Sequence, residues 1–558
     1  MASSLPQYVD TVIIGTLLIS TSPFSTLNTD FPQGNGPSAL ILSYILHGHI
    51  PYYVGAHHDT ILDSKLSTRP NLLNSTPDLY AHFQSSLRYS TQALPINTLL
   101  DTLLRPNADT EINPKSCIKW EHALEKAVSH IAIGNSPHAG GQWAESPVRA
   151  SRGIGTLSYA EMLSLPGYSY SDHYAAMRKE PMPDFVRPTR SEVAEYFKAY
   201  PAAVGISDAI HTSIQVDRVS RTADGFFIGS HGIHCKHLVL ASGIFTANIP
   251  PPPLLAPLAG QDSITEPLLV IGSGFSAADV IISTPPNRKI IHIFQWNPEE
   301  RPSPLRGCHH TAYPEYATIH RQMKLAAISS SKRAPAKSPL MRRKSNPFFS
   351  YRDWESIYEG LPNAEILDVT TNAEKSTVQV RLESGDVIER TVGHLEYVVG
   401  RRGSLDYLDP ELRNEVLGDG PLDTPSTGDQ ASTLISGRTL RAKAEADLEV
   451  APNVFITGSL AGDSLVRHAV GGCVYAAGHI LDPARRSTGK ASPDSAGTPA
   501  RLSPSASSSG TPTLRAIGSA HQDLHLDRRE LTRAIDIASA ENRIWEDSGW
   551  WGSGWRIT

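Results

Sequence analysis

At 558 residues the chain is too long for one ordinary hydrophobic core, so two or more domains with some irregular sequence are expected. Hydrophobic residues at 40% and charged residues at 19% fit a soluble globular protein, and a net charge of -6 with no long basic face argues against a nucleic-acid partner. The four cysteines, Cys117, Cys235, Cys308 and Cys473, form no CxxC pair, and the 22 histidines show no HExxH or facial-triad spacing, so neither a disulfide framework nor a metal site is expected.

The opening MASSLPQYVDTVIIG lacks a basic start and its apolar run is short, which predicts a cytoplasmic protein with neither signal peptide nor membrane span. Val12 to Gly15 is the first of three β-branched runs closed by glycine. Leu268 to Gly272 and Val454 to Gly458 are the others, and all three read as buried parallel strands. After Gly15 comes TLLISTSPFSTLNTDFPQ, Thr16 to Gln33, with no charge pattern or helical period. Without it the chain reads VDTVIIGNGPSALILSYILHG, an uninterrupted strand–turn–helix fingerprint, so the segment is read as an accidental in-frame addition such as a retained intron. The competing reading is a surface excursion, since long loops cost little closure entropy.

In the motif Gly34-Asn35-Gly36-Pro37-Ser38-Ala39, the first glycine permits a tight turn and the second lets backbone N–H groups approach a pyrophosphate at a helix N-terminus. The acidic ribose partner usual after the next strand is missing; YYVGAHHD offers only Asp59, slightly late. His237 to Gly243, HLVLASG, reads as a strand entering a small-residue turn. The second motif is cleaner: Leu268 to Ile271 leads into Gly272-Ser273-Gly274-Phe275-Ser276-Ala277-Ala278-Asp279. The strand KIIHIF follows, and beyond it Arg301 and Arg306 stand near enough to meet a 2′-phosphate, which favours NADPH over NADH; ordinary loop charges are the even alternative. SSSKRAPAKSPLMRRKS reads as a solvated surface insertion, with nuclear import or phosphorylation as its functional alternative.

FITGSLAGD places Asp463 just past a strand, within reach of ribityl hydroxyls or a phosphate-bound water, and a helix opening at Ser464 to Arg467 would aim its N-terminus at the flavin. Arg467 and His468 are the polar groups expected to face that flavin, a buried structural role being the alternative for His468. From Arg485 to about Thr513 the composition predicts a disordered linker, then a short amphipathic helix from Arg528 to Asn542 and a tail bearing Trp545, Trp550, Trp551 and Trp555.

From about Gly34 to about Gly478 the chain resembles the oxidative-stress-induced growth inhibitor family, a branch of the flavin-containing monooxygenase-like and N-hydroxylating monooxygenase-like proteins. The likeness lies in GNGPSALILSYILHG, LLRPNAD with KSCIKWEH, AGGQW, VIGSGFSAAD, YPEYATIHRQM and SLAGDSLVRHAVGG. It implies an α/β, glutathione-reductase-like fold with two Rossmann-like domains. FAD would occupy a discontinuous domain of residues 1–258 and 441–484 and NAD(P)H one of residues 259–440, ahead of the linker at 485–519 and the tail at 520–558. The resemblance assigns FAD to Gly34, Gly36, Pro37, Ser38, Gly462 and Asp463, places Gly140, Gly141, Gln142 and Trp143 beside the isoalloxazine ring, and sets Gly272, Gly274, Ser276 and Asp279 in the pyridine-nucleotide turn.

The implied activity is FAD-dependent, NAD(P)H-using oxidation, with dioxygen delivered to a small molecule through a flavin hydroperoxide. The alternative is a growth or stress regulator that keeps the flavoprotein fold with little or no turnover. Two departures bear on the choice. PPPPLLAPLAGQDSITEP stands where flavin-containing monooxygenases carry FxGxxxHxxx(Y/F), and the Pro-x-Arg stretch that the monooxygenases share is matched in DFVRPTRSEVAEYFKAY, with Arg190 as its arginine.

Overall fold

The computed structural model describes residues 5–15, 34–74, 82–83, 93–106, 114–258, 261–330, 352–372, 376–418 and 434–482. The segment 16–33, the basic stretch at 332–344, and the linker and Trp-bearing tail after 482 lie outside the described residues.

The protein is mixed α/β with parallel sheets. The chain enters a first sheet through β1 (Tyr8–Ile14), β2 (His130–Ile133), β3 (Ile210–His211) and β4 (Ile233–Leu240). It then builds a second from β5 (Leu268–Ile271), β6 (Ile290–Phe294), β7 (Tyr358–Pro362) and β8 (His394–Tyr397), and returns to the first with β9 (Val454–Ile456). The parallel order is β3-β2-β1-β4-β9 in the first sheet and β7-β6-β5-β8 in the second. All three glycine-closed runs of the sequence are therefore strands.

Burial explains why those runs are unbroken. β1 is buried at every residue after Tyr8, because it lies between β2 and β4 with both faces covered, and Ile14 stands level with Ile133 and Leu240. In β5 the side chains alternate. Leu268 and Val270 pack beneath α5 (Phe275–Ser283) and α6 (Pro314–Ser330), while Leu269 and Ile271 pack on an antiparallel meander through Val378, Val380 and Val392.

Helices complete the frame of the site. α1 (Pro37–Leu46) follows β1 and is buried from Ser38 to Leu46; α2 (Thr60–Ser67), α3 (Pro95–Leu104) and α4 (Arg190–Ala203) precede the second sheet; α7 (Ala469–Leu481) follows β9. α7 packs on α1 and α3, where Gly471 and Gly478 admit the backbones of Ile96 and Leu73 at distances that a side chain would forbid.

Among the described residues no helix is long and apolar enough to cross a membrane. All four cysteines are buried and none forms a disulfide among the described residues.

Candidate functional site

The carboxyl ends of β1, β2, β4 and β9 lie at one edge of the first sheet, where parallel α/β sheets place their ligands. At this edge the two glycines of the first motif differ. A Cβ on Gly34 would stand 2.2 Å from Gly134 Cα, so Gly34 allows the turns after β1 and β2 to touch. A Cβ on Gly36 would meet no atom within 4 Å. Gly36 is the N-cap of α1, with no side-chain cap and Pro37 as the first helical residue, so the helix opens with unsatisfied donors and positive potential over empty space.

The turn containing Gly140 to Trp143 closes on that point. Gly140 N–H donates to Asn35 O at 2.9 Å, and a Cβ on Gly141 would lie 3.0 Å from Gly36 Cα. From the other side Gly458 comes so near that its Cβ would sit 2.3 Å from Ser38 Oγ. The resulting cleft is lined by Gly34, Gly36, Pro37, Ser38, Gly141, Gln142, Trp143, Phe245, Thr457 and Asp463, among others. Thr457 Oγ1 is buried there without a hydrogen-bond partner among the described residues. An open glycine, an uncapped helix and an orphaned hydroxyl on one cleft fit the pyrophosphate and sugar of a dinucleotide.

The second motif repeats the division. Gly272, at φ +153°, would place a Cβ 2.5 Å from Val398 O, whereas the nearest atom to a Cβ on Gly274 is Pro304 Cγ at 3.9 Å. Gly274 caps α5, again without a side-chain cap. The Gly272 carbonyl is held by His292: Nε2–H donates to it at 2.7 Å, so Nδ1 is the acceptor for the Tyr358 hydroxyl at 2.8 Å. Burial pushes His292 down to about 4, as it does His130 in β2.

Both rings are neutral in the fold but bind a proton near 6.5 once unfolded, so the unfolded chain takes up more protons below that pH. Stability is therefore expected to fall as pH drops from about 6.5 to about 4. Urea denaturation across that window should show the decline, and His292→Gln should remove one proton's share of the slope. Identical slopes in variant and parent would contradict this account.

The structure distributes the remaining expected residues unevenly. Gly462 has φ +97° and turns its Cα toward the Arg441 side chain and Gly437 rather than into the cleft. Asp463 borders the cleft, but its carboxylate is taken up by the protein: Oδ2 accepts from Leu94 N–H at 2.8 Å and Asn97 Nδ2 at 2.6 Å, and Oδ1 pairs with Arg441 at 2.7 Å. Arg467 and His468 stand behind the cleft and are absent from its lining. Arg467 forks onto Asp101 of α3 at 2.9 and 2.5 Å. Burial alone would raise Asp101, but the guanidinium groups of Arg467 and Arg105 more than reverse this and hold it well below the usual carboxylate range.

His468 is buried as the N-cap of α7, which begins at Ala469 rather than at Ser464; only a single 3-10 turn, Val466–His468, precedes it. Asp59 is the N-cap of α2, accepting from the N–H groups of Ile61 and Leu62 and pairing with His82 at 3.0 Å. The strand His49–Tyr53 before it pairs antiparallel with Ile118–His122 and lies outside the first sheet, and Asp59 does not line the cleft.

Ser276 lies in the first turn of α5, and Arg301 follows β6 on an exposed turn bridged to Asn297. Asp279 is half-buried one turn into α5. It accepts the Tyr316 hydroxyl at 2.7 Å, and burial raises it to about 6 against that hydrogen bond and the charges of Arg401 and Arg190. Sequence reading missed Arg401, Tyr316, Asn97 and Arg441. Each is a single polar residue in an unremarkable local pattern, brought to the site only by tertiary structure.

No protein-family model matches the chain. Human oxidative stress-induced growth inhibitor 1 is 25% identical over 492 residues, covering 80% of this chain and 94% of that one. Human oxidative stress-induced growth inhibitor 2 is 26% identical over 367 residues, covering 55% and 71%. Among solved structures, a flavin-containing monooxygenase from Stenotrophomonas maltophilia covers 85% of this chain and 98% of its own at 14% identity and a TM-score of 0.42. The reduced form of an ornithine hydroxylase from Pseudomonas aeruginosa covers the same shares at 12% identity and 0.41. By sequence the chain is similar to the oxidative stress-induced growth inhibitors, the family that its motifs resemble.

Proposed function

We propose that the protein is an FAD-dependent, NAD(P)H-using oxidoreductase that oxygenates a small molecule with dioxygen. FAD would sit on residues 1–258 and 441–484 and the pyridine nucleotide on residues 259–440, each a Rossmann-like domain. The observation that carries the reading is the repeated division of labour in the two turns. Gly34 and Gly272 serve backbone packing, while Gly36 and Gly274 leave open space at an uncapped helix N-terminus. A fold with no use for nucleotides would gain nothing from open glycines there.

Gly36, Ser38 and Thr457 would hold the FAD pyrophosphate and sugar, and Gln142, Trp143 and Phe245 would flank its ring. When bound, the flavin supplies the electron-transfer and oxygen chemistry; this chain positions the reactants and keeps water away. Trp143, set edge-on to Phe197 at 6.0 Å, lines the cleft. Gly274, Ser276 and Arg301 would receive the pyridine nucleotide. NADPH is favoured over NADH because Lys324 and Arg306 place their charges near His320, which burial and those two charges lower to about 4, and the His320 ring lies 5.7 Å from Trp296, two residues past the end of β6.

An absorbance spectrum of the purified chain, with chromatography of the released cofactor, tests the reading. A yellow protein that consumes NADPH under air supports it. A colourless protein without NADPH consumption would leave the regulatory reading that the relatives' names suggest. Gly274→Val is expected to abolish NADPH-driven flavin reduction while FAD stays bound, because the new side chain fills the approach to the nucleotide without touching the first cleft. Loss of FAD in that variant would mean that the two turns have been assigned to the wrong cofactors.

A further inference from the structure

Shortly after β8 the strand Arg401–Ser404 comes to lie against the wall of the first cleft. Arg401 and Arg402 pair antiparallel with Asn248 and Ala247, and the N–H and hydroxyl of Thr246 donate to Arg402 O at 3.1 and 3.0 Å. A Cβ on Gly403 would stand 2.4 Å from Gly243 O, so only a glycine lets the strand come this close. Gly243 and Phe245, on the receiving segment, both line the cleft.

The first residue of this strand brings a charge with it. Arg401 donates to Gln142 Oε1 at 3.3 Å and its guanidinium lies 4.7 Å over the Phe245 ring, so both side chains that it touches line the cleft. Arginine only donates, so the Gln142 atom facing it is the oxygen, and the amide N–H groups are left without an acceptor among the described residues. No carboxylate of the described residues lies within ion-pair distance of Arg401. Burial lowers it to about 10, which leaves it charged at neutral pH.

A half-buried guanidinium without a counter-ion favours negative charge beside it. Reduction of an oxidised flavin takes up two electrons and one proton, which leaves the ring with one negative charge more than before. We propose that Arg401 sets the electron affinity of the flavin: standing one side chain behind the cleft, it holds the Gln142 amide and supplies the positive charge that favours the reduced, anionic ring over the oxidised one. It is a positioning residue, since it reaches the cofactor through Gln142 and Phe245. The proposal rests on the reading of this cleft as the FAD site.

The test is the two-electron reduction potential of the bound flavin, read against a reference dye during slow reduction of the purified full chain by dithionite, in the parent, Arg401→Met, Arg401→Gln and Arg401→Lys. The two neutral variants are expected to lower the preference for reduced over oxidised flavin at least about tenfold, a fall of about 30 mV for a two-electron couple. Unit charges within roughly 10 Å at a protein's effective dielectric shift an equilibrium by that much. Arg401→Lys keeps the charge and should retain most of the parent potential. Melting temperature and flavin content, measured alongside, separate this effect from loosened packing, which would change both without moving the potential of the flavin still bound. If Arg401→Met does not fold, Arg401→Gln decides, because it can still donate to Gln142. A potential unchanged in the neutral variants, or lowered as far by lysine, overturns the proposal. A colourless parent would sink the FAD reading and this proposal with it; a yellow parent whose potential ignores the charge would sink this proposal alone.

Discussion

Gly36→Val is expected to yield a folded protein that no longer retains FAD. The position has φ −70° and ψ −179°, which any residue adopts, and a Cβ there meets nothing within 4 Å, so the fold itself gives valine no reason to destabilise it. The same side chain stands where the pyrophosphate would meet the N–H groups of α1. Overpacking of about 1–3 kcal/mol would raise the flavin Kd by roughly five- to 140-fold. Gly34→Ala should behave in the opposite way. Its Cβ would lie 2.2 Å from Gly134 Cα, so the turns after β1 and β2 must separate and the melting temperature should drop whether or not flavin is present. Circular dichroism and flavin absorbance on the two variants read these effects separately. A well-folded Gly36→Val protein with full flavin would remove FAD from this cleft.

How far the sequence could lead follows from what each residue answers to. LLVI and VDTVII are legible as strands because each is covered on both faces, which leaves no polar alternation to confuse the period. The glycine motifs are legible for the same local reason, since strand, turn and helix are contiguous. Which glycine serves packing and which would serve a ligand is not legible, because the partners of Gly34 and Gly272 are Gly134 and Val398, far along the chain. Asp59 shows the limit of a local signal: an aspartate before a helix reads equally well as a cap or as a ribose acceptor, and only the pairing of its strand away from β1 decides. Arg467 was expected to face the flavin because it follows Asp463, yet Asp101, 366 residues earlier in sequence, draws it behind the cleft.

Asp463→Ala is expected to lower stability whether or not flavin is bound, since its carboxylate holds protein groups together. The side chain is 2% exposed and accepts from the Leu94 N–H at the start of α3, from Asn97 Nδ2 and from Arg441. Asn97 in turn accepts the Gly472 N–H of α7 at 2.8 Å, so one carboxylate ties α3, α7 and the loop after β9. Removing it strands a buried N–H, an amide and a guanidinium. Breaking a buried ion pair costs about 3–5 kcal/mol, and the lower end applies because Arg441 keeps Glu445 at 2.9 Å and some solvent. A loss of about 3 kcal/mol corresponds to roughly 6–12 °C in Tm. Flavin should then be lost in step with the fold, as the cleft wall that includes Thr457 and Gly458 loosens. Arg441→Met separates this role from a direct contact. It leaves the carboxylate in place but removes its cation, so it should also lower Tm and weaken flavin retention in proportion. If Asp463→Ala keeps the parent Tm yet sheds its flavin, while Arg441→Met stays yellow, the carboxylate touches the cofactor itself and the structural account is wrong.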